Sequence, residues 1–469
     1  MDVDVAVLGG GPGGYPAAIR AAQLGLSVAL IEQGELGGTC LNVGCIPTKA
    51  WVQSAHALKD AHQAFPQLGV IVAEPVVDFA QVQVNKGEIV TTMVSGVGQL
   101  LKANGATVVN GRGRFVGPNT FAVEGGEDVN FKHAVIATGS HPLRPPVEGI
   151  DHPKCVDSTG LLEVTEIPKR LVVLGGGVIG VEFASIFNHF GSEVTIVEML
   201  DSLIPVEDDD AIKALTRAFD KNGVTIHTGA RATKVEETAD GMVLHFDTGG
   251  ETASVTGDLI LVATGRGATV DGIGLEDVGI AFDKKGIQTD ATRKTTLAHV
   301  YAVGDVAGYW QLAHTAFREG EVAAENIAGH HVEMSGAVPS CIYTDPEVAS
   351  VGLSERAAVE KYGRENVVAG QFPYLAIARA AMFADKTGFF KMIHHAQTGE
   401  VLGVVIVGLQ ATDLINAGVI AIDSEAVIET IGDSIAAHPT LSEGFKEAGL
   451  VALGRPIHMP PKKKRSSAA

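Results

Sequence analysis

The chain has 469 residues, enough for two to four domains with substantial cores, and 46% of them are hydrophobic. Its formal net charge of −20 argues against a nucleic-acid groove or an anionic membrane surface as the main partner. The opening MDVDVAVLGGGPGG has no basic region, apolar signal core or cleavage site, and no apolar run approaches a bilayer span. A cytoplasmic protein is therefore expected, or a matrix protein if a transit peptide has been removed.

The first predicted unit is DVAVLGGGPGGYPAAIRAAQLGLSVALIE: an apolar strand, a glycine turn, an amphipathic helix and a second strand ending in glutamate. Pro16 falls in the first helical turn, which tolerates a missing N–H. Gly9, Gly11, Gly14 and Glu32 are matched position for position by Gly175, Gly177, Gly180 and Glu198 in RLVVLGGGVIGVEFASIFNHFGSEVTIVE. A lone G-x-G-x-x-G is a weak signal, but each copy here follows a strand, opens a helix and has its acidic residue about 20 positions on, as a dinucleotide fingerprint requires. The glycines let the backbone approach a pyrophosphate at the helix N-terminus, and the carboxylate accepts hydrogen bonds from ribose hydroxyls. The competing reading is a pair of tight strand-to-helix turns, each with a solvated glutamate. Glu198 has no arginine just after it, so it disfavours a 2′-phosphate and favours NAD over NADP. The first unit is expected to hold a resident flavin and the second a diffusible nicotinamide nucleotide.

Next comes GGTCLNVGCIPTK, with Cys40 and Cys45, two of only four cysteines in the chain. In a reducing compartment such a pair points to redox work or metal binding rather than to a structural staple. A structural zinc site needs four ligands, and Cys155 and Cys341 lack companion spacing, so metal is the weaker reading and those two are expected to be small buried apolar residues. Residues five apart on a regular helix rise about 7.5 Å, longer than a disulfide's usual Cα span of roughly 4.4–6.8 Å, so closing a bridge needs a distorted turn. Gly44 supplies the freedom for one. The alternative is two reduced, buried cysteines.

Further along, HAVIATGSHP and DLILVATGRGA each end a short apolar strand in Ala-Thr-Gly, and each is expected to return the chain to the sheet of its own unit. TLAHVYAVGDVAG brings Asp305 to a strand end, where it binds a ribityl hydroxyl or caps the following helix. Beyond residue 335, VPSCIYTDPEVASVG, GFFKMIHH and EVLGVVIVG read as strands of a mixed sheet, followed by helices rich in alanine and isoleucine. In AAHPTLSE, His438 is of the type that takes a thiol proton near neutral pH, and Glu443 could accept its other ring N–H.

GGTCLNVGCIPTK after GGGPGGY, with GGGVIGVE midway, YTDPEVASVG later and HPTLSE near the end, resembles the pyridine nucleotide-disulfide oxidoreductases, and among them the dihydrolipoamide dehydrogenases. The resemblance spans all but about the last dozen residues. It implies an α/β architecture with two Rossmann-like dinucleotide-binding domains and an α+β C-terminal dimerisation domain. The FAD-binding domain would comprise residues 1–145 and 269–335, the NAD-binding domain 146–268 and the interface domain 336–457, with 458–469 a disordered tail. A homodimer is implied, using FAD and NAD to oxidise dihydrolipoamide carried by a lipoyl-bearing acyltransferase or a glycine-cleavage carrier protein, with no nucleic-acid or membrane partner.

Carried over residue by residue, Cys40 exchanges with substrate, Cys45 faces the flavin, Lys49 pairs with Glu182 near the flavin, and His438 with Glu443 supplies the base from the other subunit. FAD contacts fall on Gly9, Gly11, Gly14, Glu32, Gly38, Thr39, Lys49, Gly113, Thr138, Gly139, Ser140, Asp305, Leu312, Ala313 and His314. NAD contacts fall on Gly175, Gly177, Val178, Ile179, Gly180, Glu182, Glu198 and Gly265. Gln311 and Thr315 stand where methionine and lysine are common in the family, a departure that bears on the flavin potential and not on the fold. Two alternatives stay open: another FAD-dependent disulfide reductase, for glutathione, a related thiol or mercuric ion, and a flavin-containing structural subunit of a multienzyme complex. The tail lacks the cysteine pair expected of a mercuric reductase, and Cys40, Cys45 and His438 together are more than a scaffold needs.

Overall fold

In the computed structural model, which describes residues 1–460, the two glycine units form two separate parallel sheets. Most of the basic tail expected to be disordered, from residue 461 on, lies outside the described residues. In the first sheet β1 (Asp2–Leu8) runs between β2 (Val28–Glu32) and the strand Val129–Ile136, all parallel. Val5 to Leu8 are buried without interruption, as expected of a parallel strand covered on both faces. Val129–Ile136 has two neighbours on its far side. At its start it pairs with the antiparallel hairpin Gly113–Gly117 and Thr120–Val123, and at its end with Val300–Ala302, which returns from beyond the second unit. The first sheet is therefore completed by a strand that follows the second in the chain.

In the second sheet Arg170–Leu174 lies between Glu193–Val197 and Leu259–Val262, with Thr225–His227 and Cys155–Val156 at the edges. The two Ala-Thr-Gly strands thus take equivalent places, each beside the first strand of its own unit. A three-stranded antiparallel sheet, Ala230–Thr238, Gly241–Thr248 and Glu251–Gly257, accompanies this unit.

From Ser340 a third sheet begins, in the order Ser340–Ile342, Val348–Gly352, Val401–Val407, Phe389–His395, Val367–Pro373. Every pairing in it is antiparallel, not the mixed sheet expected from the sequence. Two of its pairs, Ser340–Ile342 with Val348–Gly352 and Phe389–His395 with Val401–Val407, are joined by short connections. Such connections allow only antiparallel neighbours, since a parallel one needs a crossover of about a dozen residues or more. Among the described residues no helix is long and apolar enough to cross a membrane. Cys155 is buried in an edge strand as expected, whereas Cys341 is only half-buried, and burial pushes its thiol up to about 12.

Candidate active site

The two glycine turns are built alike. Gly9 and Gly175 have φ of +105° and +112°, which a side chain would strain. A Cβ on Gly14 would lie 1.8 Å from the Gly9 carbonyl oxygen, and one on Gly180 2.0 Å from that of Gly175, so the helix packs on its strand only with glycine there. At the middle glycines the space is open: a Cβ on Gly177 would meet nothing within 4 Å, and one on Gly11 only Gly38 Cα at 3.8 Å. That open cradle at a helix N-terminus fits a pyrophosphate. The strand-end carboxylates also match. Glu32 accepts from the N–H groups of Gly10 and Gly34 at 2.7 Å each, and Glu198 from Gly176 at 2.5 Å and Leu200 at 2.7 Å. Val178 and Ile179 open the second helix, Val178–His189, and Gly265 follows Leu259–Val262 at φ +128°.

Cys40 and Cys45 stand on either side of a helix break. α1 (Gly38–Val43) stops at Gly44, whose φ and ψ of −139° and −112° are not helical, and α2 (Cys45–Gln67) starts afresh. A Cβ on Gly44 would lie 2.8 Å from the Thr39 carbonyl oxygen, so the chain folds back on itself here because the residue is glycine. Gly38 carries a φ of +55°, and a Cβ there would sit 2.8 Å from Gly11 Cα, which holds the cysteine segment against the first glycine turn. Both thiols are free and half-buried. As the first residue of a long helix, Cys45 lies where the N-terminal dipole favours a thiolate. Its pKa falls to about 7 because the Cys40 thiol donates to its sulfur and the Lys49 cation is near, against the opposing effect of burial. The Cys40 thiol is raised by that same hydrogen bond and by burial, so Cys45 is the one that ionises.

Lys49, one helical turn along α2, places Nζ 2.7 Å from Glu182 Oε2 in the second unit and 4.7 Å from the centre of the Tyr343 ring. The other oxygen of Glu182 accepts the Tyr343 backbone N–H at 2.9 Å. Glu182 is buried, and these two donors satisfy it. Burial would lower the Lys49 pKa, but the carboxylate and the Cys45 sulfur outweigh it and the pKa rises, so the cation persists. In the reduced protein, alkylation of Cys45 by iodoacetamide, followed by peptide mass spectrometry, should increase with pH through about 7. Lys49→Met should shift that midpoint upward by removing the cation; an unshifted midpoint would take Lys49 out of the thiolate's field.

Other expected cofactor residues gather where the two units meet. Ser140 donates to Asp305 Oδ2 at 2.5 Å and accepts from Arg266 Nε at 2.7 Å, while Arg266 also donates to the Ser140 carbonyl at 2.7 Å. Asp305 caps neither neighbouring helix: it lies inside the short 3-10 helix Gly304–Ala307, whose N-cap is Val303, and Ala313–Ile327 has Leu312 at its N-cap, so the capping alternative for Asp305 fails. Thr138 donates to the Thr269 carbonyl at 2.7 Å, and Gly139 turns the chain at φ +71°. His314 bonds the Pro339 carbonyl at 2.9 Å, and burial lowers its pKa. Gly113 has a packing role, since a Cβ there would lie 2.5 Å from Leu8 Cδ1. Arg266 and Tyr343 escape the sequence patterns; the only pointers to them are the Ala-Thr-Gly repeat just before Arg266 and the YTDPE stretch around Tyr343.

His438 sits on the third domain with its side chain 72% exposed. Its Nδ1 lies 2.8 Å from Glu443 Oε1, and Glu443 Oε2 accepts the Thr440 N–H at 2.9 Å. The carboxylate so fixed selects the tautomer with the proton on Nδ1 and leaves Nε2 as the basic nitrogen.

Residues 3–320 match the family described as pyridine nucleotide-disulphide oxidoreductase, and residues 338–449 match its dimerisation domain. The chain belongs to the pyridine nucleotide-disulphide oxidoreductase family, an α/β fold with two Rossmann-like domains, and the family binds FAD and NAD(P). Among curated relatives it is 42% identical over 464 residues to a dihydrolipoyl dehydrogenase of Thermus scotoductus, covering 97% of this chain and 98% of that one. It is 39% identical over 464 residues to a dihydrolipoyl dehydrogenase of Geobacillus stearothermophilus, covering 98% of each. Among solved structures it is similar to the HOCl-induced flavoprotein disulfide reductase RclA from Escherichia coli, with a TM-score of 0.86 and 29% identity, covering 95% of this chain and 99% of that one.

Proposed function

We propose that the protein is a homodimer that oxidises dihydrolipoamide on a separate lipoyl-bearing acyltransferase or glycine-cleavage carrier, with NAD as the final acceptor. The observation that carries this reading is the junction at Lys49: a thiol pair on the first nucleotide unit lies beside an ion pair to the nucleotide helix of the second. FAD would lie along Gly9, Gly11, Gly14, Glu32, Gly38 and Thr39, with Ser140 and Asp305 toward its ribityl chain, and NAD at Gly175 to Gly180 and Glu198. Bound FAD supplies the two-electron relay between the thiols and the nicotinamide. Everything else in the reaction falls to the chain's own groups.

Nε2 of His438, from the partner subunit, takes the proton of one substrate thiol, and Glu443 stabilises the imidazolium that forms. The substrate thiolate attacks Cys40 Sγ of the Cys40–Cys45 disulfide, and Cys45 departs as a thiolate. A low thiol pKa makes it a good leaving group, which is the asymmetry found between the two cysteines. The second substrate thiol then attacks the mixed disulfide at the substrate sulfur, its proton passing to the departing Cys40 sulfur, which leaves cyclic lipoamide, a Cys40 thiol, a Cys45 thiolate and one proton on His438. Lys49 and Glu182 keep a fixed, paired cation beside the Cys45 thiolate.

The runner-up is another disulfide reductase on this scaffold, favoured only by the structural likeness to RclA. Full-length identity of about 40% to dihydrolipoyl dehydrogenases and the carboxylate at Glu198 weigh against it. Steady-state turnover of the purified holoprotein with dihydrolipoamide and NAD, compared with glutathione disulfide and NADPH, tests the choice. Turnover confined to the second pair would sink the proposal.

A further inference from the structure

The loop after Glu198 follows the strand Glu193–Val197, runs past the second glycine turn and ends on the third domain. Ile204 donates its N–H to the Gly176 carbonyl at 2.9 Å, and Leu203 packs so closely that a Cβ on Gly176 would lie 2.6 Å from its Cδ2. Ile204 has a φ of +39° and is 1% exposed, a conformation a β-branched residue keeps only where its surroundings impose it. Its surroundings include a grip from the other domain a few residues on. Buried Glu207 accepts from Ser340 Oγ at 2.6 Å and Ser350 Oγ at 2.7 Å. Asp208 accepts the Glu355 N–H at 3.0 Å, and Asp208, Asp210 and Glu355 converge on Lys391 Nζ at 2.8, 2.7 and 3.0 Å. The Lys391 side chain is 4% exposed, and its three carboxylates hold its pKa above the usual lysine range despite burial.

We propose that Lys391 is a positioning residue for the second nucleotide site: by drawing Asp208 and Asp210 onto the third domain, it keeps Leu203 and Ile204 pressed against Gly176 and so fixes the turn that receives NAD. The inference rests on the reading that this turn takes NAD. Without the cation, the carboxylates of Asp208, Asp210 and Glu355 repel one another. The strained backbone at Ile204 then favours relaxation of the loop away from Gly176. Lys391 acts through the loop and has no part in the thiol chemistry.

In the holoenzyme, Lys391→Met should raise KM for NAD about tenfold, in the range typical of coupling through an intermediate element. Both kcat and single-turnover reduction of the flavin by dihydrolipoamide should stay within about twofold of the parent. A merely structural lysine would instead cost bound FAD or slow both half-reactions in parallel. That parallel loss, or a KM for NAD within about twofold of the parent, overturns the proposal. If Lys391→Met does not fold, Asp208→Asn combined with Asp210→Asn removes the two loop carboxylates that Lys391 holds and leaves it Glu355 as partner; it should raise KM for NAD with the dithiol step unchanged, and an unmoved KM there overturns the proposal too. Glu198→Ala run alongside separates the two levels of inference. An unchanged KM for NAD in Glu198→Ala removes NAD from this turn, whereas a raised value there beside a parent-like value in Lys391→Met removes only the positioning role.

Discussion

Cys45→Ser is expected to yield a protein that retains FAD yet loses dihydrolipoamide-dependent NAD reduction by about 10³-fold or more, the scale on which loss of a covalent catalytic group is felt. Flavin retention should follow because the cradle at Gly9, Gly11, Gly14 and Glu32 owes its shape to close backbone packing and to the Glu32 hydrogen bonds, none of which involves the sulfur. Turnover should vanish because serine can form no disulfide with Cys40, leaving the substrate thiolate nothing to attack. Flavin absorbance after gel filtration and steady-state NADH formation are the two measurements. Turnover near the parent value would refute the redox assignment of the pair, and loss of flavin would show that the cysteine segment shapes the cofactor site as well.

His438→Gln should lower dithiol oxidation by about 10² to 10⁴, the usual range for losing a positioned general base. Reduction of the flavin by NADH should be largely spared, since that step moves no thiol proton. The glutamine amide can still donate toward Glu443, so the carboxylate at the start of the helix Glu443–Ala452 keeps a partner and the local fold should hold. Mixing Cys45→Ser with His438→Gln subunits tests whether the base comes from the partner. Random reassortment makes about half of the dimers mixed, each with one site that combines intact cysteines from one chain with intact histidine from the other, so recovery should approach about a quarter of the parent activity. No recovery after confirmed subunit exchange would place His438 in its own chain's site or outside the chemistry.

Much of this site is legible without coordinates because its constraints are local. Gly14 must be glycine because the carbonyl of Gly9, only five residues away, fills the place of its side chain, and the same holds for Gly180 and Gly175. Gly44 breaks the helix between the cysteines for a reason equally short in range, the Thr39 carbonyl. Short-range steric rules leave a spacing pattern in sequence, so the two nucleotide turns, the acidic strand ends and the distorted cysteine segment can all be read there. Strand direction is different. Apolar runs such as EVLGVVIVG report burial on both faces, and that pattern is shared by parallel and antiparallel strands, which is why the third sheet reads as mixed and folds wholly antiparallel.

The duplicated glycine turns, their carboxylates, the helix break at Gly44 and the His438–Glu443 spacing can be read from the order of residues alone, since each is set by atoms within about one or two turns of chain or one strand–helix–strand unit. Three pairings come instead from how the chain packs: Arg266 bonds Ser140, Tyr343 presents its backbone N–H to Glu182, and Asp208 and Asp210 share Lys391. Those partners lie 126 to 183 residues apart in the chain. A charged or polar side chain carries no mark of which distant group will satisfy it; burial creates the demand for a partner, and the packing of domains supplies one.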